Sequence, residues 1–253
     1  MNTIPFAVSR RAASVLFAVT TLLVRSHAFA GPAEDLKAVL RDFLDQPNYT
    51  WIESEVTSRG MPETPTGEKA EAVDGMHEKG GYTMMNHRRL PGTPPSGRRW
   101  KAFTDREDKL SLRWVFQTPG GWKWLRELMN PATGLGISRP DLEIAALVKG
   151  LESVTETPAG VFHALISPAA SAECLDRGIR PRVRENARLK ATFWVRSGQL
   201  ARYRLVGEFD MSGRTIPVDY IRELRDIGTT VIDVPPEVRR KFGETVPDAP
   251  DGP

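Results

Sequence analysis

Histidine and cysteine, the side chains that most often bind a transition metal or move a proton near neutral pH, are few in this chain and stand far apart. Beyond residue 30 the histidines are His77, His87 and His163. None stands at zinc-ligand spacing from another histidine, a cysteine or a close carboxylate. His77 and His87 share a turn-rich zone, where a joint site and two solvated loop histidines are both open readings. Glu53 and Glu55 fall on the same side of one strand. Paired carboxylates can do acid–base work, but a solvated strand edge is the plainer reading. No G-x-S-x-G elbow and no Cys–His arrangement of known spacing supplies a nucleophile with its base. Gly134-Leu135-Gly136 lacks the third glycine and the preceding strand of a dinucleotide loop. A hydrolase built on Glu53, Glu55 or His87 would need those groups to converge in one cleft. The residues therefore predict a non-enzyme with no metal and no cofactor.

Other residue types speak to binding. Arginine clusters at Arg88-Arg89, Arg98-Arg99 and Arg180, Arg182, Arg184 and Arg188. They could meet anionic head groups at a membrane surface, although the acids between them favour a solvated face. Trp100, Trp114, Trp122 and Trp124 crowd together with Phe103 and Phe116. Such rings either fill a core or line an apolar cavity. The one cysteine, Cys174, allows no intramolecular disulfide. It reads as a small buried apolar residue, with pairing between chains as the alternative.

The amino terminus reads as a signal peptide cleaved after Ala30. Arg10-Arg11 is its positive head, Ala12 to Val24 its apolar run, and Ala28-Phe29-Ala30 the small-x-small cleavage pattern. The run is too short to span a hydrocarbon layer of about 30 Å. The chain carries 35 basic and 32 acidic residues, and the signal holds three of the basic ones and no acid. Removal leaves 32 of each, so a general attraction to nucleic acid loses its basis. The expected protein is periplasmic or secreted. Residues 31–243 form one domain, and the Pro- and Asp-rich stretch 244–253 is a disordered tail.

The elements that must position these residues follow from periodicity. Leu36, Val39, Leu40, Phe43 and Leu44 recur at helical spacing after Pro32, and Pro47 ends the helix. Strands are expected at Tyr49–Thr57, around Val73, at Tyr82–Met85, and as a hairpin from Arg99–Thr104 and Leu110–Gln117. A helix over Pro140–Gly150 and a strand at Val161–Ile166 follow. The carboxyl-terminal third alternates most clearly. Leu189, Ala191, Phe193 and Val195 oppose Lys190, Thr192, Trp194 and Arg196, and Ser197-Gly198 turns the chain. Tyr203 and Leu205 continue the apolar side, as do Val218, Tyr220, Arg222 and Leu224 one strand later. Thr230, Ile232 and Val234 predict a short fourth strand. The expected class is α+β, a large antiparallel sheet with helices over its apolar side.

The order of four stretches resembles the periplasmic lipoprotein-carrier fold of the LolA/LolB and LppX type. They are the opening helix running into Asn48-Tyr49-Thr50-Trp51; Gly120-Gly121-Trp122; the hairpin Phe193 to Leu200; and the ending Asp226 to Pro235. The resemblance runs from Ala33 to Phe242. It implies a curved antiparallel sheet, an incomplete β-barrel, whose concave face is covered by helices and holds acyl chains. On that basis the chain is expected to be an exported soluble binding protein for an apolar ligand, a lipid or lipoprotein acyl chain, serving envelope lipid or lipoprotein trafficking with transient membrane contact. Phe193, Val195, Tyr203, Leu205, Val218 and Tyr220 are the expected cavity lining, and packing as ordinary core is the alternative. The competing function is an envelope protein–protein interaction module with a filled core.

Overall fold

Pro32 sits where a helix tolerates its missing N–H, and Glu34 and Asp35 face the positive end of the dipole, so α1 (Pro32–Leu44) begins there. Its stripe buries Leu36, Leu40 and Phe43, while Val39 and Leu44 are partly buried beside them. The computed structural model describes residues 31–55, 71–89, 100–105, 113–128, 139–157, 160–175, 185–211 and 213–246. The expected signal peptide, the segments 61–66 and 90–97, the Arg180–Arg184 cluster and residues 247–253 of the expected tail lie outside them.

Among the described residues eleven strands form one antiparallel sheet. In chain order they are β1 (Asn48–Glu55), β2 (Glu71–Glu78), β3 (Thr83–Arg89), β4 (Trp100–Thr104), β5 (Val115–Thr118), β6 (Gly121–Trp124), β7 (Leu151–Thr157), β8 (Val161–Ile166), β9 (Glu185–Arg196), β10 (Gln199–Met211) and β11 (Arg214–Arg225). Their spatial order is β6-β5-β4-β3-β2-β1-β11-β10-β9-β8-β7. The chain meanders out from β1 to β6, then returns through β7 to lay β11 against β1. Edges β6 and β7 do not pair with each other, so the sheet is open rather than a closed barrel, as expected. The helices among the described residues are α1, α2 (Leu125–Leu128), α3 (Pro140–Lys149), α4 (Pro168–Leu175) and α5 (Pro236–Lys241).

The Ser197-Gly198 turn joins β9 to β10 as expected, and a β-bulge at Ala201 then shifts the pairing so that Phe193 stands opposite Tyr203. Ser197 (φ 50°) and Gly198 (φ 77°) both occupy the left-handed region, the geometry of a tight hairpin whose twist matches its strands. The face carrying Leu189, Ala191, Phe193, Tyr203, Leu205 and Tyr220 is buried in a core shared with α1, α3 and α4. On the β1–β2 pair, Trp51 stands opposite Gly75. A Cβ there would lie 2.0 Å from the Trp51 ring, so the glycine makes room for the indole.

Several elements differ from expectation. Thr230–Val234 forms no strand. The Thr230 amide bonds Asn48 Oδ1 (2.9 Å) and the Ile232 amide bonds Glu78 Oε1 (2.7 Å), so side chains take the place of a ladder. Ile232, Val234 and Val238 instead pack with Phe103 in a second core. Neighbouring Ala102 belongs to the first core, and strand alternation puts the two cores on opposite faces of the sheet. β7, α4 and α5 also differ, since periodicity does not reveal them. Leu151 continues the apolar face of α3 in sequence, and α4 is built of small residues.

Candidate functional site

The most concentrated polar chemistry lies between α3 and the sheet. Glu143 is in the first turn of α3, Tyr203 on β10, Tyr220 and Arg222 on β11, and Glu53 on β1. Glu143 and Arg222 are each 1% exposed. The hydroxyl of Tyr203 donates to Glu143 Oε2 (2.8 Å), and that of Tyr220 donates to Oε1 (2.9 Å). Arg222 Nη1 reaches Glu143 Oε2 at 3.0 Å, and Arg222 Nε donates to Glu53 Oε2 at 2.7 Å, with Nη2 on the same oxygen. Burial alone would lower the Arg222 pKa, but Glu143 and Glu53 outweigh it and raise it well above the usual value. Burial raises the Tyr203 pKa far above its ordinary range. Glu143 is thus held by two hydroxyl donors and a fixed cation. This arrangement fastens a helix to a sheet.

A second network lies nearby. The Tyr49 hydroxyl donates to Asp141 Oδ1 (2.5 Å), and Arg139 grips both oxygens of Asp141 at 3.1 and 2.8 Å. Arg139 Nη1 also reaches Thr83 Oγ1 (3.4 Å), which lies 2.8 Å from His77 Nδ1. Burial works to raise the Asp141 pKa, but Arg139, the Tyr49 hydroxyl and His77 hold it below the usual carboxylate value.

These placements answer the sequence expectations residue by residue. Glu53 does not stand on a solvated edge. It lies on the same face of β1 as Trp51 and pairs with Arg222, because β11 brings that cation opposite it. The side chain of Glu55 lies outside the described residues. On the β2–β3 hairpin His77 stands opposite Thr83, whereas His87 stands opposite Val73. The two histidines therefore sit at different ends of the pair, and the register brings no shared site together. The tryptophans also separate: Trp114 is in the first core, Trp122 packs on Phe103 on the other face (5.4 Å), and Trp124 meets Phe242 (5.2 Å). Cys174 is buried.

Of the six residues expected to line a cavity, Phe193, Tyr203, Leu205, Val218 and Tyr220 are buried in the first core, and Val195 is partly buried against it. Phe193 and Tyr203 stack with centroids 6.3 Å apart.

An apolar opening is found elsewhere, on β8, β9 and β10. Leu165 and Lys190 are paired positions, as are Lys190 and Val206, so Leu165 and Val206 flank one lysine on the face turned away from the helices. Both are exposed, at 46% and 37%. With Pro168 and Gly207, and with Ile166 and Leu189 of the first core, they bound a groove of about 550 Å³, within the size range of small-molecule sites. Arg188, Lys190, Glu152 and Glu208 stand around it, two charges of each sign. A Cβ on Gly207 would come within 1.9 Å of the Arg188 carbonyl oxygen, so the close β9–β10 approach at the groove floor requires glycine. No sequence signal marks this groove, because Leu165 and Val206 interrupt polar faces singly.

Among the described residues no helix is long and apolar enough to cross a membrane. No family model matches the chain, and no curated protein matches it by sequence. Among solved structures it is similar to the Mycobacterium tuberculosis lipoprotein LppX, with 11% identity, covering 79% of this chain and 96% of that one at a TM-score of 0.41. It is also similar to LprF from Mycobacterium bovis, with 13% identity, covering 81% and 96% at a TM-score of 0.46.

Proposed function

We propose that this is an exported, non-catalytic binding protein that holds the alkyl chain of a lipid. The observation that carries the reading is the groove beside Leu165 and Val206. It is apolar, open to solvent and large enough for a length of hydrocarbon. The charges around it cancel, so its selectivity would be for apolar surface rather than for a charged end. In this reading Phe193, Val195, Tyr203, Leu205, Val218 and Tyr220 serve as the packed inner side of the strands that form the groove. A seat for the chain beneath α3 would require Glu143 to leave Arg222 and two hydroxyls. That is expensive, since breaking a buried pair costs about 3–5 kcal/mol.

The signature of such a site is a dependence on chain length. Each methylene removed from water contributes up to about 0.8 kcal/mol. Affinity for saturated fatty acids of increasing length should therefore rise about two- to fourfold per methylene until the groove is full. An affinity indifferent to length would contradict the proposal.

A further inference from the structure

A different pocket joins cationic and aromatic side chains at the other end of the sheet. Arg113, just ahead of β5, Trp124 at the end of β6, Arg126 in α2 and Lys241 at the end of α5 bound a space of about 350 Å³. Arg126 is exposed and Lys241 half-buried. The aromatic wall is fixed: Trp124 and Phe242 meet edge to face at 5.2 Å and 89°, and Tyr82 buttresses Phe242 at 5.5 Å. The guanidinium carbons stand over these rings. Arg113 Cζ is 6.0 Å from the Trp124 centroid and 5.6 Å from that of Phe242, and Arg126 Cζ is 5.7 Å from Trp124. Ring faces hold both guanidinium groups in place.

Among the described residues the charges converge without an equal number of acids. No carboxylate lines the pocket among the described residues. Asp105 engages Arg113 at 2.8 Å, which leaves Arg126 and Lys241 as two further positive charges on the same space. Glu244 is directed elsewhere, accepting from Tyr82 (2.5 Å) and pairing with Arg239 (3.8 Å). A dianion would balance this set. The planar fork of arginine suits the oxygens of phosphate, and lysine adds a point charge.

We propose that this pocket binds a phosphate group, with Arg113, Arg126 and Lys241 holding its oxygens and the Trp124 ring covering an apolar neighbour of that phosphate. The site is independent of the alkyl groove, since the two share no residue. Its chemistry could be met by free phosphate or by a phospholipid head group, and two probes separate these sources. Calorimetric titration of the full chain with inorganic phosphate tests the first. Flotation with phosphatidylglycerol vesicles, against phosphatidylcholine vesicles as the uncharged control, tests the second. The variant Arg126→Ala/Lys241→Ala, with its melting temperature confirmed to match the wild type, should lose about tenfold in phosphate affinity or release the protein from phosphatidylglycerol vesicles. Either binding should weaken as added salt screens it. If the double variant does not fold, Arg126→Gln and Lys241→Met tested singly should each weaken binding. Absence of binding to both probes, or binding unchanged by these substitutions, overturns the proposal. Vesicle binding that survives them but is lost in Leu165→Glu would assign the contact to the groove and likewise overturn it.

Discussion

Glu143 on α3 and Arg222 on β11 lie 3.0 Å apart with each side chain 1% exposed, and the same guanidinium reaches on to Glu53 of β1. One cation therefore joins a covering helix to the two strands where the outgoing and returning halves of the sheet meet. Arg222→Met should lower stability by about 3–5 kcal/mol, because it leaves Glu143 buried without its counter-charge. Adding Glu143→Leu should restore part of that loss. Urea unfolding of the two single variants and the double variant measures the coupling; additive effects would mean that the pair does not act as a unit.

Part of this network is visible in the sequence. Arg222 is the charge that breaks the apolar side of an otherwise regular strand, and period-two alternation places it beside Tyr220 and Leu224. Its partners are not visible. Glu143 reads as an ordinary acid in the first turn of a helix, where it complements the dipole; only the docking of α3 over Tyr203 and Tyr220 buries it. The same difference runs through the fold. The β9–β11 meander is legible because one face is buried and the other wet, so residues alternate along each strand, while the bulge at Ala201 has no such signal. Thr230–Val234 has the composition of a strand, but Asn48 and Glu78 bind its amides and hold it across the second core. The groove rests on single exposed aliphatic residues whose adjacency is set by strand register across β8, β9 and β10.

Trp51 and Gly75 make a separate prediction. With a Cβ placed 2.0 Å from the indole, Gly75→Ala must displace the ring or the strand. Overpacking of this kind costs about 1–3 kcal/mol. Thermal unfolding should show a fall of roughly 2–4 °C for each kcal/mol. An unchanged melting temperature would mean that the Trp51 ring shifts freely.

Asp141 predicts an acid dependence. Its folded pKa lies below the ordinary aspartate value. The stability it contributes is therefore complete above that value and is lost as pH falls through the folded pKa. Asp141→Asn should remove this component, flattening the stability profile below about pH 4 while lowering stability at neutral pH. Denaturant titrations across the acid range check it, and a variant whose profile parallels the wild type would refute it.

Cys174 is 1% exposed. A thiol reagent should leave it unmodified in the native protein and modify it once denaturant opens the core. Non-reducing electrophoresis should show no disulfide-linked dimer. Rapid native-state labelling would contradict the packing of α4.

The alkyl-binding groove is tested most directly by native mass spectrometry of the protein with a long saturated fatty acid, compared with Leu165→Glu/Val206→Glu. The wild type should carry one fatty acid per chain, and the double variant, folded but with charge on both walls, should carry none. A wild type with no adduct, or a variant with an equal one, would contradict it.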